Sequence, residues 1–367
     1  MNNTNKKPEF HGSDLEKIEE YYHIPKESII SFGANVNPLG LSSAVKEELA
    51  ANLDIISTYP DRNYKSLKKA IGNYCGISSE HIVVGNGSTE LISLLISQRK
   101  PSRALLLGPT YSEYARELSL VGGSMSYYHL KEENNFQLNI AEFLQAITED
   151  TELVIICNPN NPTSSALTCN ELEEIIYECE KRNIFVMIDE TYVEFAPSVA
   201  SITAVPLVNR YDNFMVIRGV SKFFAAPGLR FGYGVTSNKD FLASLLAHQN
   251  PWSLNSIGAY AGELMLSDKE YIQKTRDLIC TERDRMIHEL SKLNGAKVYD
   301  AYANFILIKI QKDNLSSFDV FEACIREKMM IRDCSSFESL DGEYVRFCIM
   351  NPEDNSRLIK VLKTILA

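Results

Sequence analysis

Five groups of residues in this chain have the types and spacing to do chemistry together. Ser221-Lys222 follows the apolar run NFMVIRG and precedes Phe223, Phe224, Ala225 and Ala226. A lysine so placed loses hydration, which lowers its pKa and frees a nucleophilic amine. Asp189 closes the apolar run IFVMI. A carboxylate there is costly unless it meets a cation such as a protonated ring nitrogen. Tyr192 follows three residues later and brings a phenol to the same end. Asn158-Pro159-Asn160-Asn161-Pro162-Thr163 holds amide side chains between prolines. Gly85-Asn86-Gly87-Ser88-Thr89-Glu90 joins an apolar run to a helical one, where glycines and free N–H groups suit an anion. Arg230, eight residues beyond Lys222 (230 − 222), supplies a counter-charge. Each group alone also fits a plainer role: an N-capped glycine turn, a Pro/Asn turn, a capping acid pair, a solvated lysine. Together they meet the needs of a phosphorylated pyridine aldehyde: a Schiff-base amine, a partner for the ring nitrogen, donors to the ring hydroxyl and a phosphate cradle.

These groups sit at the ends of strand-like runs. HIVVGNG, RALLLGP, TELVIIC, NIFVMIDE and NFMVIRG read as strands, and STELISLLIS, YSEYARELSLVGG and the span from Cys169 to Arg182 as helices. Such alternation predicts an α/β fold, a mainly parallel sheet covered on both faces. Ligands of such sheets lie beyond the carboxyl ends of the strands, where the polar motifs fall. After about residue 255 the pattern changes to long helical stretches, then KVYDAYANFILIKI, MMIRDC and EYVRFCIM. This predicts an arm over 1–40, a large domain over 41–255 and a smaller α+β domain over 256–367, with the arm packed against the small unit. A length of 367 residues fits two units better than one core.

Composition narrows the function class. A net charge of −11 and a pI near 5.2 oppose non-specific binding to nucleic acid or anionic membrane. The one basic run, Lys6-Lys7, is too short for a targeting patch. No apolar stretch reaches the roughly 20 residues that span a bilayer. The opening MNNTNKKPEFHG lacks the apolar centre of a signal peptide. Eight cysteines are scattered without a CxxC pair, and no HExxH occurs among six histidines. That reads as reduced thiols in a cytoplasmic chain without a metal site.

GNGSTE, NPNNPT, DETYVEF, Ser221-Lys222 and PGLRFGY, in this order, resemble the fold-type I pyridoxal-phosphate enzymes of the class I/II aminotransferase superfamily. The resemblance runs over nearly the whole chain. It implies pyridoxal 5′-phosphate held as a Schiff base by Lys222, with Asp189 at the pyridine nitrogen and Asn161 and Tyr192 at the ring hydroxyl. It places Ser88, Thr89, Ser221 and Arg230 at the phosphate and Tyr111 on the ring face. Tyr59 would reach the phosphate of a neighbouring subunit, which implies a homodimer. Two positions depart from the pattern. Gly219 stands where Ser or Thr is frequent, three residues before the lysine (222 − 219), and Ser164 stands where Gly is usual. Both predict weaker hold on the cofactor.

Within the superfamily the chain is most similar to threonine-phosphate decarboxylases of cobalamin synthesis, and next to histidinol-phosphate aminotransferases. That likeness lies in His11-Gly12, GANVNPLG from Gly33, NPWSLN from Asn250 and IRDCS from Ile331. HGSD in place of HGGN, and FCIM without a basic residue, depart from it. The likeness implies a small phosphorylated or acidic amino-acid substrate, met by His11, Asn35, Arg332 and Arg346. Two arginines on small-domain strands suit two anionic ends, each bound in bidentate fashion. Two surface arginines paired with Asp333 and Glu343 are the alternative. Decarboxylation and amino transfer both remain open, since either follows from which bond to Cα lies perpendicular to the ring.

Overall fold

The computed structural model describes residues 8–367; the Lys6-Lys7 run lies outside them. A short strand, β1 (Ile30–Ser31), comes first. Seven strands then build one sheet: β2 (Ile82–Gly85), β3 (Arg103–Gly108), β4 (Ser124–His129), β5 (Leu153–Cys157), β6 (Phe185–Asp189), β7 (Phe214–Gly219) and β8 (Gly232–Val235). Their order is β2-β8-β7-β6-β5-β3-β4. The pairs β3–β4, β3–β5, β5–β6 and β6–β7 are parallel, and only β8 runs against its neighbours.

Every residue of β5, β6 and β7 is buried. Strands covered on both faces need continuous apolar runs such as LVIIC and FVMI, and the helices supply the cover. One of these, Cys169–Glu180, starts at a capping box between Thr168 and Glu171, which satisfies two backbone donors at its exposed end. Two strands of this sheet were not anticipated. The run SMSYYH of β4 lies at a sheet edge and carries no apolar stretch. The β8 run GYGV holds two glycines, poor strand formers, and Gly232 is required there: a Cβ on it would lie 2.5 Å from the Ser88 nitrogen.

The later part forms a four-stranded antiparallel sheet, ordered β12-β13-β10-β9. Its strands are β9 (Ala296–Val298), β10 (Phe305–Ile310), β12 (Arg332–Asp333) and β13 (Tyr344–Cys348). The run KVYDAYANFILIKI thus holds two strands joined by a turn. MMIRDC is also divided, since β11 (Met329–Met330) pairs in parallel with β1. The arm packs beside it, with Phe10 stacked on Phe321 at 5.7 Å. Among the described residues no helix is long and apolar enough to cross a membrane.

Candidate active site

The parallel strands end on one edge, and the polar motifs gather there. Asp189 is the last residue of β6 and is 4% exposed. Its Oδ2 accepts from the Tyr114 hydroxyl at 2.7 Å, and its Oδ1 accepts from the Thr191 amide at 2.9 Å and hydroxyl at 2.6 Å. Burial raises its pKa despite these donors. No cation pairs with Asp189 among the described residues, so a cationic ligand group would relieve its desolvation.

Lys222 lies three residues past β7, partly buried, with its Nζ donating to the Ala34 carbonyl at 2.7 Å. Burial, then the positive charges of Arg346 and Arg230, lower its pKa to about 8. Its amine is therefore mostly neutral only above that pH, well below the ordinary lysine range. The backbone carbonyl of Lys222 accepts from the Asn37 amide at 3.1 Å, which fastens the ANVNP turn to the lysine.

A cradle opens at the helix Ser88–Arg99, which starts after β2. Its N-cap, Gly87, has φ +83°, and no side chain caps the helix. Arg230 stands against it: a Cβ on Gly87 would lie 2.7 Å from the Arg230 Nη2. Arg230 is itself in the left-handed region, with φ 53°, and donates to the Pro227 carbonyl at 3.2 Å. It meets no carboxylate within ion-pair distance among the described residues. The hydroxyls of Ser88, Thr89 and Ser221 likewise have no protein partner among them. Uncapped N–H groups, unengaged hydroxyls and an unpaired guanidinium fit a phosphate. Tyr111, 36% exposed, stands edge-on to Tyr114 with ring centres 5.6 Å apart.

The other wall joins the two sheets. Asn161, in a turn whose Asn158–Pro159 and Asn161–Pro162 bonds are cis, accepts at Oδ1 from Nη1 of Arg346 on β13. Arg346 Nη2 donates to the Gly33 carbonyl at 3.0 Å, while its buried Nε has no partner. Its guanidinium also lies 5.1 Å above the Phe305 ring. Tyr192 packs edge-on to Phe305 and accepts from Asn35 Nδ2 at 3.3 Å. Burial raises its pKa. Asn35, with φ 56°, leaves its buried Oδ1 unpartnered.

Arg332 on β12 lies directly across from Arg346 on β13, so both side chains leave the same face of the small sheet. Both are 5% exposed and neither pairs with an acid among the described residues. Asp333 instead accepts from Ser317 and Ser335, and Glu343 pairs with Lys309. The surface-pair alternative is thereby excluded. Arg332 differs from Arg346 in its setting: Nη2 donates to Ser336 at 2.6 Å, and the residue lines a cavity of about 260 Å³ between the arm and the helix Ser317–Arg326.

His11 is exposed, and only its backbone is held, donating to Asp14 at 3.0 Å. Gly12 explains its placement. A Cβ on Gly12 would lie 2.1 Å from the Gly33 oxygen, so the two glycines pass backbone to backbone beside the carbonyl that Arg346 binds. Tyr59 stands apart from all of these residues. It is 79% exposed and packs on Trp252 at 4.8 Å.

Four contributors are not legible in the sequence. Tyr114 lies one helical turn after Tyr111, and that spacing was its only signal. Thr191, next but one to Asp189, was visible only as part of DETY. The Ala34 and Gly33 carbonyls carry no side-chain signal at all. Among the described residues no cluster of His, Cys, Asp or Glu is arranged to hold a metal.

A doubly wound sheet with a lysine, a buried aspartate and an anion cradle at its carboxyl edge defines a pyridoxal-phosphate-dependent enzyme of fold-type I. The model of the family "Aminotransferase class I and II" matches residues 27–362, and the chain belongs to that family. Its cofactor is pyridoxal 5′-phosphate, and its substrate is a small molecule. The chain is 33% identical to the threonine-phosphate decarboxylase of Salmonella typhimurium, over 97% of this chain and 96% of that one. It is 31% identical to the histidinol-phosphate aminotransferase of Methanococcus aeolicus, over 97% and 95% respectively. The crystal structure of the histidinol-phosphate aminotransferase from Clostridium acetobutylicum superposes with a TM-score of 0.85 at 32% identity, covering 91% of this chain and 98% of that one.

Proposed function

We propose that this enzyme decarboxylates a small phosphorylated amino acid of the threonine-phosphate kind. The observation that carries this reading is the pair of buried arginines without acidic partners, Arg332 and Arg346, side by side on one face of the small sheet. Two unpaired buried guanidinium groups are costly until anions fill them, and one substrate bearing a carboxylate and a phosphate fills both. Relatives named threonine-phosphate decarboxylase support the choice.

When bound, the cofactor supplies an electron sink for the pair left at the substrate's α-carbon. Asp189 keeps the ring nitrogen's proton, and the Tyr114 and Thr191 donors fix the carboxylate's orientation. Asn161 and Tyr192 would donate to the ring hydroxyl; Ser88, Thr89, Ser221 and Arg230 would hold the phosphate, and Tyr111 would cover the ring. Lys222 holds the cofactor between turnovers and then returns a proton to the α-carbon once CO2 has left. Arg332, Arg346, His11 and Asn35 orient the substrate so that the bond to its carboxylate is the one presented.

Supplying O-phosphothreonine without any 2-oxo acid tests this reading, which expects steady CO2 release with formation of the amine. Turnover that requires a 2-oxo acid and releases no CO2 overturns it. The second reading, amino transfer from histidinol phosphate or a similar amine, then takes its place; the likeness to the Clostridium acetobutylicum structure favours it.

The chain's organisation belongs to the same proposal. We read 41–255 as the large domain, supported by a seven-stranded sheet lying within 82–235, with 1–40 as the arm and 256–367 as the small domain. A homodimer is supported by the exposed cluster of Leu53, Ile56, Tyr59 and Trp252, from which Tyr59 reaches the neighbour's phosphate. Eight unpaired cysteines support a reducing, cytoplasmic setting.

A further inference from the structure

Ser164 occupies a backbone conformation that serine disfavours. Its φ is 61°, in the left-handed region where glycine is at ease, and the residue is completely buried. All three of its polar groups are engaged. The amide donates to the Asn160 carbonyl at 2.8 Å, and the carbonyl accepts from the Tyr302 amide at 2.9 Å. The hydroxyl accepts from the Ala303 amide, also at 2.9 Å. Ala303 is itself fully buried, so with glycine at 164 its N–H would lose its acceptor inside the protein.

Residues 302–304 lead into β10 and are gripped from several sides. Arg283 donates to the carbonyls of Ala303 and Phe195, each at 3.0 Å. Asn304 donates to the Asn35 carbonyl at 3.0 Å, and its own carbonyl accepts from the Ile349 amide at 2.8 Å. Strand β10 then pairs Leu307 with Arg346, and Arg346 returns to Asn161, three residues before Ser164 (164 − 161). The contacts close a ring: the turn 158–164, the entry to β10, β13, Arg346, and the turn again. Ser164 is where that ring crosses directly from the first sheet's loop to the second sheet's loop.

We propose that Ser164 is a positioning residue whose hydroxyl locks the turn bearing Asn161 to the entry of β10, and so sets where Arg346 holds the substrate's anionic group. The inference deepens the proposed decarboxylation and rests on it: the position of Arg346 governs which bond at the α-carbon is presented for cleavage. It also accounts for serine at a position whose backbone favours glycine.

The test is Ser164→Gly in the cofactor-loaded enzyme, because glycine fits the left-handed backbone at this position. Amide exchange at Ala303 and Asn304, read without substrate, is expected to accelerate. KM for O-phosphothreonine is expected to rise about fivefold, the effect of losing one hydrogen bond of typical strength. The proportion of turnovers ending in amino transfer to the cofactor instead of CO2 release should increase. Ser164→Ala, which keeps the Cβ and loses only the hydroxyl, should move KM and exchange in the same direction. Unchanged KM, partition and exchange in both variants would overturn the proposal and leave Ser164 as a turn residue. Wild-type enzyme that releases no CO2 is a failure of the decarboxylase reading alone, since exchange at Ala303 and Asn304 reports the lock independently of the reaction.

Discussion

Asp189 and Lys222 are shifted in opposite directions by the same cause. Burial raises the acid and lowers the amine, because each loses water around its charged form. The two shifts prepare one residue to receive a cation and the other to act as a nucleophile. The cradle beside them has room to be improved. A Cβ built on Gly219 would meet the Ser88 hydroxyl at 3.5 Å, ordinary contact distance, and nothing closer. Gly219→Ser should therefore add a donor to the phosphate and tighten cofactor binding by about 1 kcal/mol, near fivefold in Kd. Titrating the cofactor-free variant with pyridoxal phosphate checks this; an unchanged or weaker Kd refutes it. Lys222, Asp189 and Asn161 were legible in the sequence because each ends or follows an apolar run. Tyr114 was not, because its contact with Asp189 spans 75 residues of chain and depends on how a helix packs on the sheet.

At the scale of elements, the N-terminal segment is part of the site under the proposed reading. The back-to-back crossing of Gly12 and Gly33 sets His11 beside the carbonyl that holds Arg346. Gly12→Ala forces a Cβ into the Gly33 oxygen, and overpacking of this kind costs about 1–3 kcal/mol. The expected outcome is a raised KM for the phosphorylated substrate with unaltered cofactor binding. Steady-state kinetics beside a cofactor titration separate the two, and equal loss of both would contradict the assignment. Arg346→Ala should raise KM further, by about 2–5 kcal/mol for a buried charge pair. The buried parallel strands were legible as unbroken apolar runs. β4 and β8 were hidden because an edge strand needs no such run and a glycine-rich strand shows none. The division of MMIRDC between two sheets was equally hidden, since only tertiary pairing separates Met330 from Arg332.

For the whole molecule, the site stands on a buried ionic layer beneath the sheet edge. Arg218 on β7 binds Glu190 at 2.7 Å and lies 3.8 Å from Glu194, all three buried. One Glu194 oxygen has no partner, and burial raises this acid to about 7 despite Arg218. A folded-state pKa above the unfolded value means that the native protein binds the extra proton. The resulting stability is complete below the ordinary glutamate range and is lost as pH rises toward about 7. Glu194→Gln should flatten that slope, as melting temperatures recorded across this pH window would show; a slope equal to wild type would refute it. Above this layer, two sheets converge on one amine, and everything proposed for the enzyme depends on that amine carrying the cofactor. Borohydride reduction of the loaded protein, followed by peptide mass spectrometry, tests this directly. The account predicts a pyridoxyl group on Lys222. A pyridoxyl group on another lysine, or none while the bound cofactor supports turnover, would contradict it.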